Sequence, residues 1–314
     1  MSPTGTVHSV LRRAHRECLA TALPGRRAIL GLLAAPCVVS WAHAATGAVQ
    51  DGWTPLFNGH DLSGWDTFLG KPHATTDMPG LARRPDGTYD DVVGLNRDPR
   101  GVFSVVDVDG APAIRISGET YGALITQSEY DNYHLRFQFR WGTQRWPPRP
   151  DAPRDTGCCY HSVGPLGASY GFWMRSFEFQ IQENDVGDFY SLAGVIVDVT
   201  AIPTDPANPK SDLRYQPSAA RVVGSTRRVI KAATVERPLG EWNTLDLYCL
   251  GQTSAHVVNG RTMVVLSGLR QKSGDGEIPL TRGKLQFQSE AAEVFYRAIA
   301  IRPIREMPRQ VLGL

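Results

Sequence analysis

The sequence predicts an all-β protein, an antiparallel β-sandwich or jelly roll in a single domain with long loops. Helical periodicity is almost absent after residue 44, whereas runs of alternating apolar and polar residues recur. The pair Asn259-Gly260 between two such runs predicts a hairpin turn, because both turn positions favour positive φ. About 270 residues follow the N-terminal segment, which suits one large β domain better than two small ones.

Ten runs alternate strongly enough to be predicted as strands. They cover residues 101–108, 113–117, 123–127, 134–141, 176–182, 244–250, 254–258, 262–266, 284–288 and 293–302. Two long irregular segments, 67–100 and 145–155, interrupt them. Loops of that length inside a compact domain are usually functional or disordered, and the Trp, Pro and His residues in these two favour ordered walls around a site.

The first 44 residues have the features of a cleaved export signal. Arg26-Arg27 precede the apolar run 28–39, and Ala42-His43-Ala44 provides a small-x-small cleavage site. This is a secretory signal peptide, too short for a mature membrane span. Its twin arginine resembles the Tat signal, with an ordinary Sec signal as the alternative. We therefore expect a bacterial periplasmic or secreted protein whose domain covers residues 45–314.

The charge balance of the exported part excludes some classes of partner. The signal holds five of the 33 basic and one of the 31 acidic residues, which leaves 28 basic and 30 acidic residues. A near-neutral chain is a poor match for nucleic acid or for an anionic membrane surface. Cys37 follows Pro36, where a lipobox needs a small residue, so no lipid anchor is expected. No protein partner is evident from the sequence.

Three cysteines remain after the signal: Cys158, Cys159 and Cys249. An odd number does not make a disulfide framework. Adjacent cysteines on a strand point to opposite faces, so Cys158 and Cys159 are expected to be packed thiols. Pairing of either one with Cys249 remains open for an oxidising compartment.

Two predicted strands carry polar faces made of long hydrogen-bonding side chains. In the run 134–141 four large apolar residues face the core, which leaves His134, Arg136, Gln138 and Arg140 on the other face. If this strand shares a sheet with the predicted strand 176–182, the two polar faces form a floor for a hydrophilic ligand. A plain solvated face is the alternative for either strand alone.

The second of these strands is 176–182, where Phe177, Phe179 and Ile181 face the core. Glu178, Gln180 and Gln182 then lie together on the opposite face. Nearby loops are rich in aromatic residues, namely Trp146, Tyr160, Tyr170, Phe172 and Trp173. Aromatic rings stack on the C–H faces of sugars while amides and carboxylates bind the hydroxyls, so a sugar-binding cleft is predicted.

Six segments, in order along the chain, resemble motifs of the 3-keto-disaccharide hydrolase family, also known as domain of unknown function 1080. They are LFNGHDLSGW (56–65), YGALITQSEYDNYHLRFQFRW (121–141), DTGCCYH (155–161), SFEFQIQEND (176–185), EWNTLDLYCLGQTSAHVVNG (241–260) and GKLQFQSEAAEVFYRAIAIRPI (283–304). The resemblance spans nearly the whole exported chain. It implies a concanavalin A-like jelly roll, in agreement with the alternation.

The resemblance also implies cleavage of glycosidic bonds in sugars already oxidised at C3. A ketone at C3 makes the C2 proton acidic, so a general base can remove it and the enolate can expel the C1 oxygen. Water can add afterwards. Such a site needs a base, an electrophile for the enolate oxygen and an acid for the leaving group. A divalent metal ion is one suitable electrophile, so a metal cofactor of unknown identity is predicted.

We predict His161 and Glu178 as the central catalytic pair, acting as metal ligands or as base and ligand. Gln180 and Arg140 are predicted to bind substrate or to orient the groups that do. Gln182, His134 and Trp173 complete the predicted substrate-binding set, and Asp185 is a third candidate metal ligand. The family pattern has Arg where His161 stands, so the role of that Arg must be reassigned. Cys158 and Cys159 stand where the family pattern usually has aliphatic residues.

Two other functions fit the same fold. Glu178-Phe-Gln180-Ile-Gln-Glu183 has the form E-x-Q-x-x-E, close to the E-x-D-x-x-E of laminarinase-like retaining glycosidases. That mechanism needs two carboxyl groups ~5–5.5 Å apart, and Gln180 replaces the Asp that would tune them. The other alternative is a non-catalytic carbohydrate-binding, lectin-like module, which would have no need of an acidic pocket that contains His.

Overall fold

The computed structural model describes residues 52–313, which form 21 strands and one short helix. The elements are β1 (Thr54–Pro55), β2 (Trp65–Leu69), β3 (Gly94–Leu95), β4 (Phe103–Val108), β5 (Ala111–Ile116), β6 (Gly122–Thr126), β7 (Tyr130–Asp131), β8 (Tyr133–Arg145), β9 (Asp155–Val163), β10 (Arg175–Gln182), β11 (Phe189–Leu192), β12 (Ile196–Pro203), β13 (Leu213–Tyr215), β14 (Arg221–Ser225), β15 (Val229–Ile230), β16 (Asn243–Leu250), β17 (Thr253–Val258), β18 (Arg261–Ser273), β19 (Gly276–Pro279), β20 (Arg282–Ser289), β21 (Ala292–Pro303) and α1 (Arg309–Leu312).

The strands form two hydrogen-bonded layers. The first sheet has the order β4–β5–β21–β8–β16–β17–β18–β12–β14. The second has the order β3–β2–β6–β20–β9–β10–β11–β15–β13. All of these pairs are antiparallel except β13 with β15. Strand β12 also pairs with β13 and so joins the two layers.

Aromatic side chains from both sheets meet in the core between them. Phe137 of the first sheet lies with its ring centroid 5.0 Å from that of Phe287 of the second. Phe179 stacks on His256 across the same interface, with centroids 4.2 Å apart. Tyr296 packs on Phe287 at 4.5 Å. The inward positions of each strand therefore interdigitate, as in other two-sheet sandwiches.

These findings confirm the predicted all-β sandwich fold. Each of the ten predicted runs lies within or largely overlaps an observed strand, and the turn at Asn259-Gly260 has positive φ at both residues. The sequence did not predict the strands between residues 189 and 230. Four of them have five residues or fewer, so they are too short to show a clear alternation.

The two predicted polar faces do not belong to one sheet. Strand β8 lies in the first sheet, beside β16 and β21, whereas β10 lies in the second, between β9 and β11. Because the inner faces of the sheets pack on each other, their polar faces point in opposite directions. The joint floor is therefore not formed, and the prediction of one was wrong.

The three cysteines of the described residues are free and fully buried. The pairing with Cys249 that the sequence left open is not present. Burial raises the pKa of the Cys158, Cys159 and Cys249 thiols, which keeps all three protonated. They behave as small core residues.

The predicted signal peptide, 1–44, lies outside the described residues. Within 52–313, no helix is long and apolar enough to cross a membrane.

Phe287 allows a test of the core. It is fully buried against Phe137 and Tyr296, so Phe287→Ala is expected to lower the free energy of unfolding by about 3–5 kcal/mol. Chemical denaturation would measure the loss. Val223→Ala, at a position that is 67% exposed, is the control and should change stability by less than about 0.5 kcal/mol. Equal effects of the two changes would contradict the assigned core.

Candidate functional site

A cavity of about 440 Å³ opens on the outer face of the second sheet. Its floor comes from β9, β10 and β11, and its walls come from the flanking loops. It is lined by Tyr121, Arg149, Asp155, Tyr170, Phe172, Trp173, Glu178, Gln180, Gln182, Tyr190, Ser191, Leu192 and Glu290. Acidic, amide and aromatic side chains thus meet in one concave place.

Strand β10 supplies the centre of the floor. Its inward residues Phe177 and Phe179 are fully buried in the core, which directs Glu178 and Gln180 to the cavity. In the pairing with β9, Gln180 lies opposite Gly157. A Cβ atom at Gly157 would overlap the side-chain oxygens of Glu178 and Gln288. The missing side chain at Gly157 is therefore what lets these two groups approach each other.

Two carboxyl groups, those of Asp155 and Glu290, lie beside one guanidinium at the end of this floor. Asp155, at the start of β9, forms an isolated bridge with Glu290, just after β20. Arg149 Nη1 lies 2.7 Å from Asp155 Oδ2 and 3.4 Å from Glu290 Oε1. Arg149 Nη2 donates to Gln182 Oε1 at 2.8 Å. Glu178 is the third carboxyl group, and it forms no ion pair within the described residues.

The surroundings give these carboxyl groups different proton affinities. Burial raises the pKa of Glu178 to about 8, and the nearby Asp155 carboxylate contributes to the rise. Burial also raises the pKa of Asp155, to about 7, while Arg149 opposes the rise. The pKa of Glu290 is raised by burial and by its two acidic neighbours. Near neutral pH Glu178 is therefore mostly protonated, and Asp155 is the group that ionises first.

Aromatic side chains form a wall on one side of the cavity. Trp173 is held in place because its Nε1 donates to the carbonyl of Gly122 at 2.9 Å. Tyr121 and Phe172 contact each other edge to face, with centroids 5.0 Å apart. Tyr170 stands at the rim and is 80% exposed. Such a wall offers apolar surface to the C–H faces of a sugar ring.

His161 lies in the core rather than at the cavity. The pairing of β9 with β10 shifts register beside it, and its φ of 49° marks a bulge. The bulge places the ring within 5.8 Å of Tyr133 and 6.1 Å of Phe177, and Nδ1 lies 3.2 Å from the carbonyl oxygen of Leu280. Burial lowers the pKa of His161 to about 4. The structure does not bring His161 to Glu178 as a catalytic pair.

Asp185 follows β10 in a turn and does not line the cavity. Its carboxylate accepts a bond from Gln182 Nε2 at 2.8 Å and pairs with Arg228 at 2.8 Å. The predicted metal ligands Glu178, His161 and Asp185 are therefore not brought together. Within residues 52–313, no group of three His, Cys, Asp or Glu side chains is arranged to hold a metal ion. The three side chains therefore do not form the predicted divalent-metal site.

Two further predicted residues, His134 and Arg140, lie on the outer face of the first sheet. His134 Nε2 is 2.6 Å from Asp246 Oδ1, and its ring stacks on Tyr248 at 3.9 Å. Arg140 pairs with Asp109 at 2.6 Å. Both side chains are engaged in polar contacts on the face of the sandwich opposite the cavity, and His134 is buried there. Of the predicted substrate-binding residues, Gln180, Gln182 and Trp173 line it.

Glu183, the second carboxylate of the retaining-glycosidase alternative, is also outside the cavity lining. It accepts a bond from Arg154 Nη1 at 2.6 Å and another from the Arg154 backbone at 2.8 Å. Conversely, sequence reasoning missed Tyr121, Arg149, Asp155 and Glu290 as site residues. A signal for Glu290 was available, since Gln286, Gln288 and Glu290 alternate on and just after β20 as the polar residues of β10 do.

The buried Glu178 carboxyl should make stability depend on pH. Its pKa in the folded state, about 8, exceeds the ordinary 4.5. Between these two pH values the carboxyl group is ionised in the unfolded chain but protonated in the folded one, so it lowers the free energy of unfolding increasingly as pH rises. We expect Glu178→Gln to raise the free energy of unfolding by a few kcal/mol at pH 8.5 and by much less at pH 4.5. Denaturant titrations at both values test this, with the exposed Glu241→Gln as control. A gain independent of pH would argue against the buried acid.

One family model and several solved structures are similar to this chain. The sequence model of the 3-keto-alpha-glucoside-1,2-lyase-like domain matches residues 52–302. No curated protein matches the chain. Among solved structures, a candidate glycosyl hydrolase from Parabacteroides distasonis ATCC 8503 is 17% identical, with 81% of this chain and 94% of that one covered and a TM-score of 0.43.

Two other similar structures are carbohydrate-binding proteins by description. The carbohydrate-binding module CBM66 from Bacillus subtilis is 8% identical, covering 64% of this chain and 91% of its own, with a TM-score of 0.35. Domain 4 of the arabinanase AbnA from Geobacillus stearothermophilus, in complex with arabinotriose, is 10% identical, covering 79% and 86%, with a TM-score of 0.34. The match over residues 52–302 places this chain in the family of 3-keto-alpha-glucoside-1,2-lyase-like domains.

Proposed function

We propose that this protein cleaves glycosidic bonds of 3-keto-glycosides, including 3-keto-disaccharides, by base-catalysed elimination in the cavity of the second sheet. One observation carries the proposal: two carboxyl groups lie in the same cavity in different electrostatic surroundings. Asp155 forms an ion pair with Arg149 at 2.7 Å, whereas Glu178 forms no ion pair within the described residues. Family membership and the aromatic wall support a sugar as the ligand.

Asp155 is suited to act as the base. Asp155 lines the cavity, and Arg149 contacts its Oδ2. The ionised carboxylate can therefore take a proton from a ligand in the cavity while Arg149 holds it in position. The proton removed is that on C2, which the C3 ketone of the substrate makes acidic. The electron pair of the C–H bond becomes the enolate.

Glu178 is suited to act as the acid. Because its pKa is about 8, it carries a proton at neutral pH and can give it to the glycosidic oxygen as the C1–O bond breaks. Burial raises the pKa of Tyr121 to about 12, so its hydroxyl stays protonated and can donate to the enolate oxygen. The products are the released alcohol and an unsaturated keto sugar. Addition of water to that sugar completes a net hydrolysis.

The remaining cavity residues would bind the sugar ring. Gln180 and Gln182 on the floor offer amide groups to its hydroxyls, and Trp173 and Tyr170 offer apolar surface. Export by the twin-arginine or Sec route would place the enzyme in the periplasm or outside the cell. A non-catalytic lectin-like module would share the aromatic wall. Turnover of a 3-keto-glucoside distinguishes an enzyme from such a module.

The direct test is turnover of a 3-keto-glucoside compared with its unoxidised parent. We expect cleavage of the oxidised sugar alone, and a loss of about 10²–10⁴-fold in kcat/KM for Glu178→Gln because the proton donor is removed. Glu183→Gln is the matched control and should stay within about tenfold of wild type, since Arg154 holds Glu183 outside the cavity. A chelator should leave the rate unchanged.

Three results would contradict parts of the proposal. Cleavage of the unoxidised glycoside alone would contradict the keto-sugar chemistry, and the greater loss in Glu183→Gln would favour a two-glutamate hydrolase. Binding of both sugars without turnover would favour the lectin. A rate that falls on chelation and returns when a divalent ion is added would support a metal cofactor.

The acid and base assignments also predict the pH profile. Since Asp155 must be ionised and Glu178 protonated, kcat/KM should rise through a pKa of about 7 and fall through one of about 8. The Glu178→Gln variant should lose the alkaline limb in its residual activity. Initial rates between pH 5 and 10 on a 3-keto-glucoside would measure this. If the alkaline limb persists in the variant, a group other than Glu178 acts as the acid.

A further inference from the structure

A second pocket lies on the same outer face of the second sheet, beyond the aromatic wall. It has a volume of about 330 Å³. Trp173 lines the first cavity and Met174, the next residue, lines the second pocket. Likewise, Tyr121, just before β6, lines the first cavity, and Ile125, near the end of β6, lines the second pocket. The two sites are thus neighbours on one face.

The distance between the sites follows from the strands that they share. Ile125 is four residues from Tyr121, and Lys284 is six residues from Glu290 along β20 and its continuation. At about 3.3 Å per residue these separations are about 13 and 20 Å. One hexose ring cannot span that distance, whereas a glycoside of several units can.

The second pocket combines apolar and hydrogen-bonding groups. Ile125, Leu166 and Met174 form an apolar base, and Asp66 and Lys284 stand at its edge. Asn96 and Gln127 donate to Asp66 Oδ1 at 3.0 and 3.1 Å, which holds this carboxylate in place. Lys284 Nζ forms an ion pair with Asp66 Oδ2 at 4.0 Å, which is longer than a hydrogen bond, so the ammonium can also donate to a ligand.

We propose that the second pocket is a subsite for the far end of an extended oligosaccharide whose reacting end occupies the first cavity. The proposal rests on the proposed function for the identity of the reacting end. The apolar base can contact the C–H face of a sugar ring, and the Asp66–Lys284 ion pair at its edge can bind the hydroxyls. The enzyme would therefore prefer substrates whose leaving group is longer than one sugar.

The test fills the pocket without altering the cavity. Leu95 lines the second pocket, is 49% exposed and lies on the short edge strand β3, so Leu95→Trp should occupy the pocket and leave the core intact. Wild type should cleave a tetrasaccharide-length 3-keto-glycoside with a kcat/KM about tenfold higher than methyl 3-keto-glucoside. Leu95→Trp should abolish that advantage and leave the methyl glycoside within about twofold of wild type.

The matched control is Leu239→Trp, at an exposed leucine (58%) that lines a different surface depression, and it should preserve the length preference. Lys284→Ala should reduce the preference through loss of the ammonium. No length preference in wild type, or an equal loss for short and long substrates in Leu95→Trp, would overturn the subsite. Calorimetric binding of unoxidised oligosaccharides of the same lengths tests the subsite even if no keto-glycoside is cleaved.

Discussion

The pairing of Arg149 with the carboxyl groups around it is the interaction on which the cavity depends. Its guanidinium reaches Asp155, Glu290 and Gln182 from the loop between β8 and β9. Three carboxyl groups buried in one place repel each other, and each resists ionisation when desolvated. A single cation at one end of the group favours ionisation of Asp155 and leaves Glu178 protonated. One guanidinium thereby gives two chemically similar side chains different proton affinities.

The sandwich determines where these side chains lie. Strand β10 is hydrogen-bonded on both sides, and Phe179 on its inner face stacks on His256 of the opposite sheet. Because side chains alternate with a period of two, anchoring the inner residues leaves Glu178 and Gln180 only the outer face. The proposed proton donor therefore lies on a central strand rather than on a loop, which limits the movement of its carboxyl group.

The sequence predicted what depends on local periodicity. It placed ten strands and separated the inward from the outward residues of β8 and β10, because alternation is a property of each strand by itself. It could not predict which strands are neighbours, and so it joined His134 and Arg140 to a floor on the opposite sheet. His161 shows a second limit, since a bulge breaks the alternation at that residue and turns the ring into the core.

The floor nevertheless had a fuller local signature than β10 alone. On β20 and just after it, Gln286, Gln288 and Glu290 alternate as Glu178 and Gln180 do, and β9 between these strands carries Gly157. Long polar side chains on two strands need a small residue on the strand between them if they are to meet. That combination can be recognised without a structure once a shared sheet is assumed. Arg149 cannot be found in this way, because the position of a loop cation depends on tertiary contacts. The acidic and amide residues of the floor thus follow from strand periodicity, whereas the different proton affinities of Asp155 and Glu178 arise only in the folded chain.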